Sequence, residues 1–219
     1  MMGLDNMKIK KLGHCCLIIE TKGVRIMTDP GSYSTLQDSE KNISIILITH
    51  EHPDHLHMES LKRVLENNPS AQIITNTSVG KLLEVEHISY VVVDHEKNIL
   101  CKDVLIEGYG TTHSEIYHDF GQVENTGYCI DNYFFYPGDS FFNPNRIIEV
   151  LALPVAGPWM QLKQAIDYAR LVRPKVIFPV HDGMLIPERL GPVHRIPKMI
   201  LEEQDITFVA LSEGDEKEF

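Results

Sequence analysis

The chain has 219 residues, a length that one hydrophobic core can serve, and its 43% hydrophobic content can fill that core without disulfide or metal staples. A formal charge of −11 argues against nonspecific binding to nucleic acid or to anionic membranes. The first residues carry no apolar leader and no run reaches the length of a membrane span, so a cytoplasmic protein with reduced thiols is expected.

In chain order, residues 7–12, 15–20 and 24–28 read as strands, with Thr21-Lys22-Gly23 as the tight turn between the second and third. Residues 31–43 are polar and rich in turn formers, a loop placed to border a site. A helix is predicted over Met58 to Asn67, with Leu61, Val64 and Leu65 as its apolar stripe, then a strand at 71–75 and a helix at 77–85. Strands follow at 90–93, 99–106, 127–131 and 133–136, the last two joined at Asp131-Asn132, and another at 147–153. Residues 159–172 form the clearest helix, because Leu162, Ala165, Ile166, Ala169 and Val172 share one face and Pro174 stops it. A strand at 175–180, a helix near 194–203 and a strand at 206–211 precede an acidic tail, Glu213 to Glu218, expected to fray. No repeat breaks the pattern, so residues 1–219 read as one domain. The alternation of strand-rich halves with helices suits an α+β sandwich with helices on its outer faces.

Chemistry concentrates at Thr49-His50-Glu51-His52-Pro53-Asp54-His55, directly after the apolar run Ile45-Ile46-Leu47-Ile48. Ligands on a loop at the end of a rigid strand are pre-positioned, and neutral imidazole with carboxylate suits zinc or a similar divalent ion. His50 and His52 alternate and so share a side in extended chain, while Pro53 helps turn Asp54 and His55 toward a second position. Three further ligand-type residues each follow an apolar run: His113, Asp139 in Pro137-Gly138-Asp139-Ser140, and His181 in Pro179-Val180-His181-Asp182-Gly183. Four such sites at strand ends are accounted for most simply by one convergent centre. Cys15, Cys16, Cys101 and Cys129 form no Cys-x-x-Cys pair. Cys15, Cys16 and Cys129 lie in apolar segments and read as packed thiols.

The ordered set His-x-His-x-Asp-His, then His113, Asp139 and His181, resembles the metallo-β-lactamase-fold hydrolases over nearly the whole chain. Thr28-Asp29-Pro30 matches that family's early aspartate after a strand. Leu12-Gly13-His14-Cys15-Cys16-Leu17-Ile18-Ile19 is similar to the opening of the ascorbate-6-phosphate-lactonase-like branch. Asn125-Thr126-Gly127-Tyr128 and Gly157-Pro158-Trp159 also resemble small hydrolases of that branch.

The resemblance implies a four-layer αββα sandwich and two divalent ions, zinc first, with manganese or iron as alternatives. His50, His52 and His113 would hold one ion, Asp54, His55 and His181 the other, and Asp139 would bridge them. Histidine at position 52, where the redox di-iron relatives usually carry glutamate, favours hydrolysis. The expected activity is attack by a metal-held hydroxide on a small ester, lactone or phosphate-bearing molecule, with Asp54 and Asp139 as the catalytic carboxylates. Two alternatives stand beside it, a phosphodiester nuclease of the same fold and a non-enzymatic metal-binding or sensor protein. The chain has no Lys/Arg cluster for grasping RNA. No nucleic-acid or membrane partner is expected.

Other residues carry two readings. Asp29 either accepts a ligand imidazole N–H or caps a turn before proline. His14 is either near the site or structural. Tyr117-His118-Asp119 is either a surface loop or one that meets substrate. Trp159, the only tryptophan, either walls the pocket or sits in the core. His57 reads as solvent-facing, and His87, His95 and His194 as structural or exposed.

Overall fold

A computed structural model describes residues 7–219. The expected lack of a leader concerns a segment whose first six residues lie outside this range. The first sheet comprises β1 (Lys8–Lys11), β2 (Leu17–Thr21), β3 (Val24–Thr28), β4 (Ile45–Ile48), β5 (Gln72–Thr75) and β6 (Tyr90–Val92). It runs antiparallel from β1 to β3 and parallel from β3 to β6. Two helices, α1 (Met58–Asn67) and α2 (Thr77–Val85), connect its later strands. The second sheet comprises β7 (Asn98–Cys101), β8 (Val104–Tyr109), β9 (Gly127–Ile130), β10 (Phe134–Tyr136), β11 (Val150–Pro154), β12 (Val176–Val180) and β13 (Thr207–Phe208). Its helices are α3 (Leu162–Val172) and α4 (Gly191–Glu202). A last strand, β14 (Glu216–Glu218), returns to the first sheet beside β1.

The period-2 alternation of strands sorts side chains into three apolar layers. In β4, Ile45 and Leu47 point between the sheets, while Ile46 and Ile48 meet Leu61 and Val64 of α1 and Val79 and Leu83 of α2. In β11, Val150 and Ala152 join the central layer, while Leu151 and Leu153 pack with Ala165 and Ala169 of α3. Both faces of both sheets are therefore covered, which gives the order helix, sheet, sheet, helix. It also explains why β4 and β11 read as unbroken apolar runs.

Boundaries differ from expectation where backbone chemistry outweighs the hydrophobic pattern. The predicted strand at 99–106 is a hairpin: Lys102 and Asp103 both take positive φ, 50° and 66°, and turn β7 back onto β8. The helix expected from residue 159 begins at Leu162, where the Gln161 N–H donates to Gln164 Oε1 at 2.6 Å. That leaves Trp159 on the loop before it. The strand expected at 147–153 shifts to Val150–Pro154, and 206–211 contracts to two paired residues. Helix α4 starts at Gly191, because Pro192 is tolerated in a first turn where no amide hydrogen is needed.

The acidic tail is ordered rather than frayed. Its glutamates meet the lysines of β1, with Lys8 Nζ 2.6 Å from Glu216 Oε1, and Phe219 packs on Phe178 with ring centroids 5.6 Å apart. Deleting residues 213–219 exposes the β1 edge and removes that aromatic contact. The expected loss is about 2 kcal/mol, read as a lower denaturant midpoint; an unchanged midpoint would mean the tail contributes nothing.

Candidate metal centre

The strand ends deliver their loops to one place. His50, His52, Asp54 and His55 follow β4, His113 follows β8, Asp139 follows β10 and His181 follows β12. The structure brings all seven together. Asp139 Oδ2 is 2.8 Å from His181 Nε2, 3.3 Å from His113 Nε2 and 4.0 Å from His50 Nε2, and Oδ1 is 3.1 Å from His55 Nε2. Asp54 Oδ2 lies 3.6 Å from His181 Nε2 and 3.8 Å from His55 Nε2. His50, His52 and His113 present nitrogens within 4.8 Å of one another, and His50, His55 and Asp139 form a second such group.

The far side of each ring shows what the near side can do. The Thr49 hydroxyl donates its one hydrogen to Asp29 Oδ2 at 2.7 Å, so toward His50 Nδ1, at 3.0 Å, it accepts. His55 Nδ1–H donates to Asp29 Oδ2 at 2.7 Å, and His113 Nδ1–H to the Ser114 carbonyl at 2.5 Å. In each neutral ring the proton sits on Nδ1 and the Nε2 lone pair faces the cluster. The Nε2 atom of His50 is buried without a hydrogen-bond partner, and those of His55 and His181 meet only the Asp139 carboxylate. Buried polar atoms are ordinarily satisfied, so inward lone pairs beside two carboxylates fit a divalent cation.

His14 is wired the other way. It is fully buried, its ring centroid 4.1 Å from that of His181, and its Nδ1 accepts the Gly183 N–H at 3.0 Å. The neutral ring therefore carries its proton on Nε2, which faces Asp54 Oδ2 at 3.3 Å. Burial pushes the His14 pKa down to about 4, so the ring is a neutral donor near pH 7. Of its two readings, the structure supports placement at the site.

Electrostatics follow the same division. Burial lowers His50 and His52 below the usual histidine range. Burial also opposes charge on His55, but the Asp139 carboxylate and the hydrogen bond to Asp29 outweigh burial and raise it well above 6.5. Burial would raise Asp139, yet His181 and His55 hold it well below the ordinary carboxylate value. Asp54 is depressed against burial by the His14 contact and His55. Burial pushes the Cys15 thiol up to about 11, which keeps it protonated beside the cluster.

Asp29 is an acceptor, not merely a turn cap. Wholly buried, it takes hydrogen bonds from the Thr49 N–H at 2.8 Å, from the Thr49 hydroxyl, from His55 and from the Tyr136 hydroxyl at 2.5 Å. Its loop grips the motif loop: Ser32 N–H donates to the Pro53 carbonyl and His57 N–H to the Pro30 carbonyl. At Gly31 an added Cβ would lie 1.7 Å from the Asp54 carbonyl oxygen, so only glycine permits this approach. Asn125 clamps the Asp139 loop, accepting the Asp139 N–H at 2.9 Å and donating to the Pro137 carbonyl at 2.9 Å. The loop of His181 is anchored from behind, where buried Asp182 accepts from Lys11 Nζ at 2.6 Å and from His194 at 2.8 Å.

Trp159 is 5% exposed, lines the cavity before the cluster and lies 5.9 Å from the His113 ring and 5.6 Å from that of His181. Its two readings are thus one position. His118 stays outside: it occupies the tip of a turn, with its side chain 76% exposed. His57 caps α1 with Nδ1 3.1 Å from Ser60 Oγ, and His95 accepts the Gly110 N–H. Sequence reasoning missed the roles of Thr49, Tyr136 and Asn125. Thr49 adjoins the motif and was open to notice; the other two have no local signal.

Residues 8–181 match the family model described as beta-lactamase superfamily domain. The chain belongs to the beta-lactamase superfamily. Protein Rv0786c of Mycobacterium tuberculosis is 30% identical over 92% of this chain and 100% of its own length. A UPF0173 metal-dependent hydrolase of Koribacter versatilis is 25% identical over 91% of this chain and 94% of its own. The solved structure of Igni18, a metallo hydrolase from Ignicoccus hospitalis, superposes with a TM-score of 0.79 at 24% identity over 98% of each chain. The fold is the metallo-β-lactamase fold. The lactonase-like branch within it is not singled out by these relatives.

Asp29→Ala strands the Thr49 and Tyr136 donors and the His55 N–H in the interior. Equilibrium unfolding is expected to show a loss of about 3–5 kcal/mol. His118→Ala is expected to move stability by less than about 0.5 kcal/mol. Equal effects would contradict the contrast drawn between these positions.

Proposed function

We propose that the protein is a dinuclear metal-dependent hydrolase. The broader assignment, metal-dependent hydrolysis, rests on the superfamily and on relatives so named. The dinuclear reading is carried by one observation: imidazole Nε2 atoms aimed at a common space, with Nδ1 of His50, His55 and His113 tied back to oxygen acceptors. His50, His52 and His113 would hold one ion, Asp54, His55 and His181 the second, and Asp139 would reach both. The donor set of imidazoles and carboxylates favours zinc and admits manganese or iron.

When bound, the ions supply Lewis acidity, which makes water nucleophilic near neutral pH and polarises a substrate oxygen. The chain supplies the rest. Asp29 fixes the His55 ring directly and the His50 ring through Thr49. His14 holds a proton at Nε2 toward Asp54 and so fixes the direction of that carboxylate. Trp159 and its neighbours exclude bulk water from one side of the cluster. No helix of the described residues is long and apolar enough to cross a membrane. All four cysteines are unpaired, in keeping with a cytoplasmic setting.

Elemental analysis of untagged protein is expected to give about two metal equivalents per chain. His52→Ala should lower this and Asp139→Ala should disturb both ions, while His87→Ala leaves it unchanged. Full activity and two-metal content in Asp139→Ala would remove the bridging role.

The charge state of His55 adds a second measurement. The carboxylates beside His55 raise its pKa, whereas burial lowers those of His50 and His52. Protons and zinc therefore compete for His55 Nε2, and apparent affinity should fall as pH drops. Zinc titrations at several pH values read this directly. An affinity that does not weaken with falling pH would contradict the placement of His55 among the residues that would hold the metal.

A further inference from the structure

The chemistry of the cavity walls narrows the substrate, on the footing that the centre is hydrolytic. The cavity has a volume of about 350 Å³ and opens onto Asp54, Asp139 and His181. That is near the lower end of small-molecule sites. Its walls are Tyr33, Ile116, Phe120, Pro158, Trp159 and Met184. Three of these stand at the surface: Phe120 is 74% exposed, Tyr33 51% and Met184 41%. Large apolar side chains left in water around the mouth of a cavity mark a surface that a ligand completes.

Among the described residues no lysine or arginine lines this cavity. Two ions would meet only the oxygens nearest the reacting centre; the remaining oxygens and any further charge of a phosphate ester need Arg, Lys or backbone N–H groups once desolvated. Lys11 lies behind the His181 loop, where it is held by Asp182 and by the Pro179 carbonyl. The loop that supplies Ile116 and Phe120 carries Glu115 and Asp119 instead. This loop folds inward at Gly121, φ +70°, where a Cβ would lie 2.9 Å from Ile116 Cδ1 and 3.8 Å from His52 Nε2. Beyond the reacting group, an anion finds apolar carbon on the cavity walls and no cationic side chain. A neutral molecule meets the apolar carbon of the walls without having to give up a hydration shell.

We propose that this site takes an uncharged carboxylic ester or lactone with an apolar body and discriminates against phosphate esters. In the reaction the oxygen of water bonds to the acyl carbon and the acyl C–O bond breaks. One proton of the water passes to the leaving oxygen, and the products are a carboxylic acid and an alcohol, or a single hydroxy acid from a lactone. The apolar body lies along Phe120, Ile116 and Met184, and the acyl group points to the cluster.

The chain has one tryptophan, so its fluorescence reports on this cavity alone. The test uses zinc-loaded protein and two readouts. The first is kcat/KM for p-nitrophenyl acetate, butyrate and hexanoate, for γ-nonalactone, and for p-nitrophenyl phosphate and bis(p-nitrophenyl) phosphate. The second is fluorescence quenching by 4-phenylbutyramide and by phenyl phosphate. The carboxylic esters should exceed the phosphate esters by at least about 10-fold, with a rise of about threefold to fourfold per added methylene until the cavity is filled. Phe120→Ala should flatten that rise while leaving metal content unchanged. The neutral amide should quench at lower concentration than phenyl phosphate. Preferred turnover of a phosphate ester, or tighter quenching by phenyl phosphate, would overturn the proposal. Quenching by the amide with no turnover of any ester, lactone or phosphate would uphold the ligand chemistry of the cavity and remove the hydrolase reading instead.

Discussion

The buried carboxylate of Asp29 is the constraint on which the centre depends. It sits just past β3, yet its partners come from β4, from the motif loop and from β10 of the other sheet. A carboxylate removed from water is tolerable only when its lone pairs are filled, and here they are filled by groups that each have a second task. His55 donates one ring hydrogen and thereby turns its other nitrogen inward. Thr49 does the same for His50 by spending its only hydrogen on Asp29. Tyr136 closes the set across the inter-sheet core. One acidic side chain thus sets two imidazole tautomers and draws the two sheets together at the end where the parallel strands finish.

His14 shows how the same residue type serves the opposite end within a few ångströms. The rings of His50, His55 and His113 are backed by acceptors and turn a lone pair inward. His14 is backed by a donor, the Gly183 amide, and turns a proton inward. The difference lies in what stands behind the ring, not in its distance from the cluster. The centre therefore combines cation-binding groups with one neutral donor trained on a carboxylate. Burial, by lowering the His14 pKa, keeps that donor neutral rather than adding a positive charge beside the cluster.

Much of this was legible in the sequence because strand ends and ligand residues coincide. His50 through His55, His113, Asp139 and His181 each follow an apolar run, and buried strands that finish together deliver such residues to one edge. A sandwich with helices on its outer faces was likewise readable from strand-rich halves interspersed with helices and the stripe on α3, and its four-layer order from the family resemblance. Other features were not legible, each for a physical reason. The turn at Lys102-Asp103 has hairpin chemistry without a glycine, so an apolar window spanned it. The charges of the tail suggested solvent, but Lys8 supplies an ion-pair partner and β1 a backbone ladder that lie some two hundred residues away in sequence. The wiring of Tyr136 and Asn125 depends on which sheet faces which, and no local pattern encodes that. His118 looked eligible from its neighbours, yet the positive φ of a tight turn places it outside.

The anchor behind His181 also bears on when the centre can form during synthesis. Asp182 is fixed by Lys11 from the first strand of the fold and by His194 from α4. The histidines of the motif loop leave the ribosome long before His181, and longer still before α4. A nascent chain therefore exposes a fragment of the ligand set for many seconds with no means of closing it, since domains emerge at about 5–20 residues per second. Closure waits for the ion pair between the two ends of the chain to seat the final histidine. The cluster is thereby completed only when nearly the whole chain is available.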